Sequence, residues 1–151
     1  MKKIVNLSFA FLSFVSIVSC SDDDTVTDTT KPTVNIITPT DHQEVEPGTT
    51  INFKAALADN VGLKSYKIEI HSAEDGHEHQ HKNNETYAND FEYHVTNDVP
   101  NSVKDFEVNQ AISIPADAAE EHYHVGITVI DVNGNQNQQF VEIFIGHEHL
   151  H

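Results

Sequence analysis

The chain has 151 residues, of which 24 are acidic and only 8 are basic, all of them lysine. Its formal net charge of −16 argues against nucleic acid and anionic lipid as partners, because both repel an acidic surface. The composition therefore favours a cationic ligand, and the length allows one domain with a modest core.

The first 19 residues predict a signal peptide, in which Lys2 and Lys3 precede an apolar run too short to span a membrane. The only cysteine, Cys20, follows directly. The sequence IVSC at residues 17–20 resembles a bacterial lipobox, in which the cysteine is lipidated and becomes the mature N-terminus. The alternative is an ordinary secretory signal with an incidental cysteine. The resemblance implies that the chain contacts the membrane only through a lipid on Cys20.

Residues 20–31 predict the lipidated cysteine and an acidic, flexible linker. Its start, SDDD at residues 21–24, resembles the surface-export signal of Bacteroidetes-type lipoproteins. The alternative is that these aspartates only solvate the linker. With almost no apolar content, the segment should behave as a tether with a mean reach of roughly 20 Å. We expect a surface-exposed outer-membrane lipoprotein whose domain occupies residues 32–151.

Short segments of alternating apolar and polar residues, separated by turn signals, make up that domain. They cover residues 33–38, 51–57, 63–71, 91–95, 103–114, 122–129 and 139–145. Alternation is the pattern of a strand with one buried face. No segment has a convincing helical period. The sequence therefore predicts an all-β fold, an immunoglobulin-like antiparallel β-sandwich of about seven strands, A to G.

Three short motifs resemble bacterial immunoglobulin-like and cadherin-like modules: Pro-x-Val at residues 32–34, ADNVGL at 58–63 and DVNGN at 131–135. With the lipobox, the acidic run and YKIEIH at 66–71 leading into a histidine-rich loop, the mature chain resembles an uncharacterised family of Bacteroidetes surface lipoproteins. The resemblance implies a single such domain at the cell surface. It implies no activity.

Histidines are predicted to gather at one end of the sandwich. Alternation turns His71, His122 and His124 away from the core, and the immunoglobulin order places strands C, F and G side by side. The loop between strands C and D and the C-terminal tail then reach the same end. These two segments carry His77, His79, His81, His147, His149 and His151.

This arrangement predicts a metal centre built on His71, His122 and His124. A loop histidine, Glu74 or Asp75 would complete the tetrahedral set that zinc prefers. Copper(II) or nickel would also accept imidazole and carboxylate, whereas the lack of mature methionine or free cysteine argues against copper(I). His147 and His149 are weaker candidates, because pairing Val129 with Val141 would turn His147 toward the core. The alternative is a solvated, weakly specific histidine surface.

The opposite end carries oxygen ligands in two predicted turns. Asp59, Asp131 and Asn133 are candidates for calcium. The alternative is that these residues only hydrogen-bond their own turns, which is the usual role of Asp and Asn at such positions.

The first functional hypothesis is a non-enzymatic, lipid-anchored protein that captures or buffers zinc or copper outside the cell, for an outer-membrane transporter. The second is an adhesion or scaffold module with incidental histidines. A zinc hydrolase with Glu69 or Glu121 as its base ranks last, because no HExxH helix and no Ser-His-Asp arrangement is recognisable.

Overall fold

The structure, a computed structural model, describes residues 27–73 and 90–146. These residues form eight strands and one short 3₁₀ turn. The strands are β1 (Thr33–Thr38), β2 (Gln43–Val45), β3 (Thr50–Ala58), β4 (Leu63–Ser72), β5 (Tyr93–Asp98), β6 (Asp105–Ser113), β7 (Glu121–Asp131) and β8 (Gln136–Ile145), with the 3₁₀ turn at Pro100–Ser102. No helix among these residues is long and apolar enough to cross a membrane.

The strands form two packed sheets, in the orders β1-β3-β6 and β2-β8-β7-β4-β5. All pairs are antiparallel except β2 with β8, which are parallel. Strands C, F and G of the prediction correspond to β4, β7 and β8, and they do lie side by side. The predicted immunoglobulin-like sandwich is confirmed.

The core lies between the inner faces of the two sheets, as the alternation predicted. In β7, Tyr123, Val125, Ile127 and Val129 are all fully buried. They face the buried side chains of the smaller sheet, which include Phe53, Leu57, Val108 and Ile112. Burying an aliphatic side chain of this size contributes roughly 1.5–3 kcal/mol, so these two rows supply much of the stability.

An eighth strand, β2, was absent from the prediction of about seven. It runs parallel to the end of β8, with Gln43 opposite Ile143 and Val45 opposite Ile145. Three residues are too few to show alternation. The strand forms because the edge of β8 offers unpaired backbone groups to the chain arriving from β1.

The fourth predicted strand, strand D, corresponds to β5. In the structure it pairs with β4, the predicted strand C, from Ser65 opposite Asp98 to Ile70 opposite Tyr93. In the immunoglobulin order a strand beside C is C′ rather than D. The histidine-rich loop therefore joins neighbouring strands of one sheet, and "C-D loop" was wrong. The sequence of a short edge strand does not by itself predict which of the two sheets the strand joins.

The register of β7 with β8 corrects a second prediction. Val141 pairs with Val125, and Val129 pairs with Asn137. The turn is tighter than expected, because Ile130 already pairs with Gln136. Turn length fixes the register of a hairpin. As a result Glu142 lies opposite His124.

The segment before β1 contacts the end of the sandwich where β7 turns into β8. The Asn135 side-chain amide donates to the Asp28 carbonyl at 3.0 Å, and the Asn137 amide donates to the Pro32 carbonyl at 3.0 Å. Contacts with the domain thus extend several residues before β1.

Candidate metal centre

Two of the predicted ligands face each other across neighbouring strands. His71 of β4 is the register partner of His124 of β7. Their ring centroids are 5.5 Å apart and the rings are nearly perpendicular. Both side chains lie on the outer face of the five-stranded sheet, as their sequence parity predicted. Directly opposed side chains in an antiparallel pair are the closest contact that a sheet offers.

A glutamate extends this pair across the sheet. Glu142 of β8 places Oε1 3.0 Å from His122 Nδ1 and Oε2 4.0 Å from His124 Nε2. The same Oε1 lies 3.5 Å from Nδ1 of His42, just before β2. We call His42, His71, His122, His124 and Glu142 the histidine face. Its carboxylate is the point at which three of the four imidazoles meet.

Backbone contacts hold His42 beside Glu142. His42 donates its N–H to the Glu142 carbonyl at 2.7 Å, and Glu142 donates its N–H to Asp41 Oδ1 at 2.9 Å. His42 has a positive φ of 59°. This left-handed conformation brings the chain into β2 with the imidazole on the outer side.

Hydrogen-bond partners favour one tautomer for two of the rings. His71 Nδ1 lies 3.0 Å from the Ser72 carbonyl, which can only accept. His122 Nδ1 faces the Glu142 carboxylate, so a hydrogen there is favoured over a lone pair. Each neutral ring then carries its lone pair on Nε2. Metal-binding histidines are commonly oriented in this way, by a carbonyl or carboxylate on the other nitrogen.

Two phenylalanines pack beside the imidazoles. The Phe140 ring lies over Gly126, its register partner, in the space that a side chain there would occupy. Its centroid is 6.3 Å from that of His71 and 6.4 Å from that of His124. The Phe144 ring is 5.3 Å from that of His122. The aromatic rings therefore limit the directions in which the imidazoles can turn.

The imidazole nitrogens of the histidine face do not lie close enough together to bind one metal ion as they stand. Among residues 27–73 and 90–146, only one set of three has ligand atoms within 4.8 Å of one another, and it is Asp28, Asp59 and Asp131. To bind one ion, the histidine face must rotate its side chains. His122 and His124 are 56% and 40% exposed, so solvent leaves them room to do so.

The aspartate set lies at the opposite end of β4 and β7. Asp131 is fully buried at the end of β7. Its Oδ1 accepts the N–H groups of Asn133 and Asn135, both at 2.8 Å, so Asn133 contributes its backbone there. Asp59 Oδ2 accepts two N–H groups of its own turn. The turn-holding role that the sequence suggested for these residues is present, and Asp28 is an addition that the sequence did not suggest.

Residues 18–146 match the model of a protein family, DUF4625, which is described as a domain of unknown function. The chain belongs to the DUF4625 family. The match includes the histidine face, the aspartate set and Cys20, and it ends before His147 and His149. No curated protein matches this DUF4625 chain.

A solved structure with a similar arrangement is that of Spo0M, a sporulation control protein from Bacillus subtilis. It is 9% identical, with a TM-score of 0.44, and the match covers 78% of the DUF4625 chain and 49% of that protein. The chain thus spans about half the length of Spo0M.

Several predicted residues of the DUF4625 chain lie outside the described residues. They are Cys20, the loop residues Glu74, Asp75, His77, His79 and His81, and the tail histidines His147, His149 and His151. Of the predicted ligands within the described part, His71 and His124 face each other across β4 and β7, and His122 lies beside Glu142. Among the described residues, Glu142 and His42 lie beside them, and the sequence prediction included neither.

Sequence reasoning missed Glu142 and His42 for different reasons. Glu142 follows Val141, which was predicted to face inward, so alternation alone placed Glu142 on the outer face. Only the register, however, shows that it meets His124. His42 gave no signal at all, because it precedes a strand that the sequence did not reveal.

Proposed function

We propose that this DUF4625 chain is a lipid-anchored, extracytoplasmic metal-binding protein that captures or buffers zinc, with copper(II) or nickel as the other metals its ligands suit. The binding site is the histidine face. The observation that carries the proposal is the convergence of three imidazoles on Glu142, from β7 and from the chain entering β2, beside His71 on β4.

Rigid strands favour such a site. Ligands on paired strands need little ordering when the ion binds, whereas loop ligands lose conformational entropy. Imidazole nitrogen and carboxylate oxygen are the ligands that zinc takes in proteins, usually four in number. The strongly acidic chain adds a long-range attraction for any cation.

The histidine-rich segments begin beside this site. Ala73, where the described part of the loop ends, donates its N–H to the His122 carbonyl at 2.8 Å. Gly146, the last described residue before the tail, donates to the Val45 carbonyl at 3.0 Å. We propose that His77, His79, His81, His147 and His149 supply further ligands to the histidine face and raise the local chance of capture.

The cellular setting is part of the proposal. The lipobox-like sequence at Cys20 and the acidic run after it support a lipoprotein of the outer membrane, exposed at the surface. A capture protein there would deliver metal to an outer-membrane transporter. We propose binding rather than catalysis, since residues 27–73 and 90–146 form no cleft that would enclose a metal-bound water at the histidine face.

Zinc titration of untagged, metal-stripped protein tests the proposal. In isothermal titration calorimetry, the double variant His122→Ala/His124→Ala should weaken zinc binding more than replacement of His77, His79 and His81 together. His94→Ala is the matched control, because His94 is an exposed imidazole of β5 whose neighbour is Glu92, at 3.9 Å. It should leave zinc affinity almost unchanged.

The outcomes separate the hypotheses. If only the loop variant loses zinc binding, the metal is bound by a flexible histidine-rich segment instead of by a site on the strands. A parent protein that binds neither zinc nor copper(II) would favour the adhesion or scaffold module.

A further inference from the structure

One edge of strand β6 is open. The strand pairs with β3 over its full length and ends the three-stranded sheet. In the immunoglobulin order the next position belongs to strand D. The predicted strand D is β5, which lies in the other sheet, so no strand of residues 27–73 and 90–146 covers this edge. We propose that β6 pairs antiparallel with β6 of a second copy of this chain, which joins two three-stranded sheets into one.

The hydrogen bonds to β3 show which residues of β6 face the open edge. Asp59 donates its N–H to the Lys104 carbonyl at 2.8 Å, and Ile114 donates its N–H to the Thr49 carbonyl at 2.9 Å. The register between these two bonds is continuous. Every second residue of an antiparallel strand bonds to a given neighbour, so the even-numbered residues bond to β3. The odd-numbered residues turn their backbone groups toward the open edge, and they are Asp105, Glu107, Asn109, Ala111 and Ser113.

A side-chain contact agrees with this assignment. Gln110 Nε2 donates to the Ala111 carbonyl at 3.0 Å, which is an exposed bond between neighbouring residues. A carbonyl that bonded to β3 would not be open to it in this way. In a dimer, a backbone N–H of the second copy would take the place of the Gln110 side chain.

The other edge strands of the described part are short or protected, whereas β6 is neither. β1 has a register shift between Ile36 and Thr38, and its Ile36 N–H already donates to the Gln139 side chain at 2.8 Å. β2 has three residues and β5 has six. β6 has nine residues, an unbroken register, and neither proline nor lysine. A long, regular edge of this kind is a template for pairing with another chain.

Charge and length select one register for two copies of β6. A two-fold axis at Asn109 places Asp105 opposite Ser113 of the second copy, and Glu107 opposite Ala111. Every residue with free backbone groups then has a partner. No carboxylate faces another carboxylate. The two acidic residues that would discourage pairing are therefore compatible with this register.

Neighbouring registers are worse. An axis at Glu107 would bring two carboxylates face to face, and like charges directly opposite each other destabilise a sheet. An axis at Ala111 would place Glu107 opposite Pro115, which has no N–H to donate. Axes at Val108 or Gln110 would leave one end of the free edge without a partner.

The same register covers apolar surface on the core side of β6. Phe106 is partly buried, and its ring centroid lies 5.9 Å from that of Tyr66. With the axis at Asn109, Phe106 lies opposite Ile112 of the second copy. Apolar area removed from water stabilises by about 25 cal/mol per Å², so this contact adds to the backbone hydrogen bonds.

Long-range charge opposes the dimer. Each copy carries a net charge of −16, and salt screens the resulting repulsion. Backbone pairing and apolar contact depend little on salt, so the dimer should strengthen as the ionic strength rises. The histidine face lies on the other sheet, so pairing through β6 leaves it free in both copies.

Sedimentation equilibrium tests the proposal on the mature chain without its lipid, kept reduced so that Cys20 forms no disulfide. At physiological salt or above, we expect an equilibrium between monomer and dimer. Ala111→Glu places a carboxylate opposite Glu107 twice in the two-fold dimer, so the dissociation constant should rise by about tenfold or more. Ala111 is exposed, so the substitution leaves the core of the monomer unchanged.

Asn35→Glu is the matched control, because Asn35 is exposed on β1, at the far side of the same sheet, and the charge changes equally. It should leave dimerisation almost unchanged. The double variant Glu107→Lys/Ala111→Glu turns the repulsive pair into an attractive one and should dimerise at least as tightly as the parent.

Hydrogen exchange measured by NMR gives a second readout. The amide of Asn109 should exchange more slowly as the protein concentration rises, whereas that of Val108 should be protected at every concentration by its bond to β3. A chain that stays monomeric up to its highest soluble concentration would overturn the proposal. So would a dimer that Ala111→Glu weakens no more than Asn35→Glu does. Ala111→Glu should bind zinc as the parent does, so failure of the dimer and failure of the zinc site can be told apart.

Discussion

The ring of Phe140 fills the space above Gly126, so that a Cβ added at that glycine would overlap the ring. The two residues are register partners in β7 and β8. An aromatic ring over a glycine covers backbone that would otherwise be open. Here the same ring also packs beside His71 and His124. A glycine in β7 thus helps to set the positions of imidazoles on two strands.

We therefore predict that Gly126→Ala lowers stability by about 1–3 kcal/mol, the usual effect of overpacking, and weakens zinc binding by moving the Phe140 ring. Chemical denaturation and calorimetry measure the two effects. In the double variant Gly126→Ala/Phe140→Ala the overlap is gone, so the stability losses should be smaller than additive. Additive losses would mean that the two residues act independently.

Glu142→Gln keeps the shape of the side chain and removes its charge. Because Glu142 lies 3.0 Å from His122 Nδ1 and within 4.0 Å of His124 Nε2, we expect zinc affinity to fall by about 10–100-fold, as when an orienting carboxylate is lost. Calorimetric titration with zinc measures the change.

The control for that experiment is Glu69→Gln. Glu69 lies on the outer face of β4 and pairs with Lys67, so this variant changes the net charge equally without touching the histidine face. If the two variants weaken zinc binding alike, general charge rather than Glu142 is responsible.

Alkaline stability should depend on Tyr123. Burial raises the pKa of this phenol to about 12 from its ordinary 10.0, and the side chain is fully buried. Below pH 10.0 the phenol is neutral in both the folded and the unfolded chain. Above it the unfolded chain loses its proton first, so stability is lost as the pH rises toward 12, by up to about 2–3 kcal/mol.

Tyr123→Phe provides the comparison. It removes the hydroxyl that donates to the Ala119 carbonyl at 3.2 Å and accepts from the Phe91 N–H at 3.3 Å, so neutral-pH stability should fall by about 1–3 kcal/mol. Its stability should then decline less steeply above pH 10.0 than that of the parent, as measured by denaturant unfolding at several pH values. Parallel pH curves for the two proteins would contradict the assignment.

Lipid attachment is tested by Cys20→Ala. If Cys20 carries the anchor, the variant should leave the membrane fraction and appear in the soluble fraction after cell lysis, because the described residues contain no spanning helix. The matched control is Ser19→Ala, which leaves the cysteine in place and should fractionate with the membrane. A Cys20→Ala variant that remains with the membrane would rule out the lipoprotein interpretation.

The sequence by itself determined which side of each long strand is buried. A strand alternates with a period of two, so the positions of Tyr123, Val125 and Ile127 also fixed the outward positions of His122 and His124. The same local rule gave the all-β class and the outward side of His71. It held because the alternating runs in β3, β4 and β7 are long and their apolar residues are regular.

Only the tertiary structure decided which outward residues meet. The register of β7 with β8 follows from a tight turn, and a different turn length would have given Glu142 another partner. The edge strands β2 and β5 are too short to encode their partners, so His42 and the connection of the histidine-rich loop could not be read locally. Asp28, Asp59 and Asp131 come from distant parts of the chain and lie close together in the structure. Their proximity results from the packing of the whole domain, so it could not be predicted from the spacing of residues along the chain.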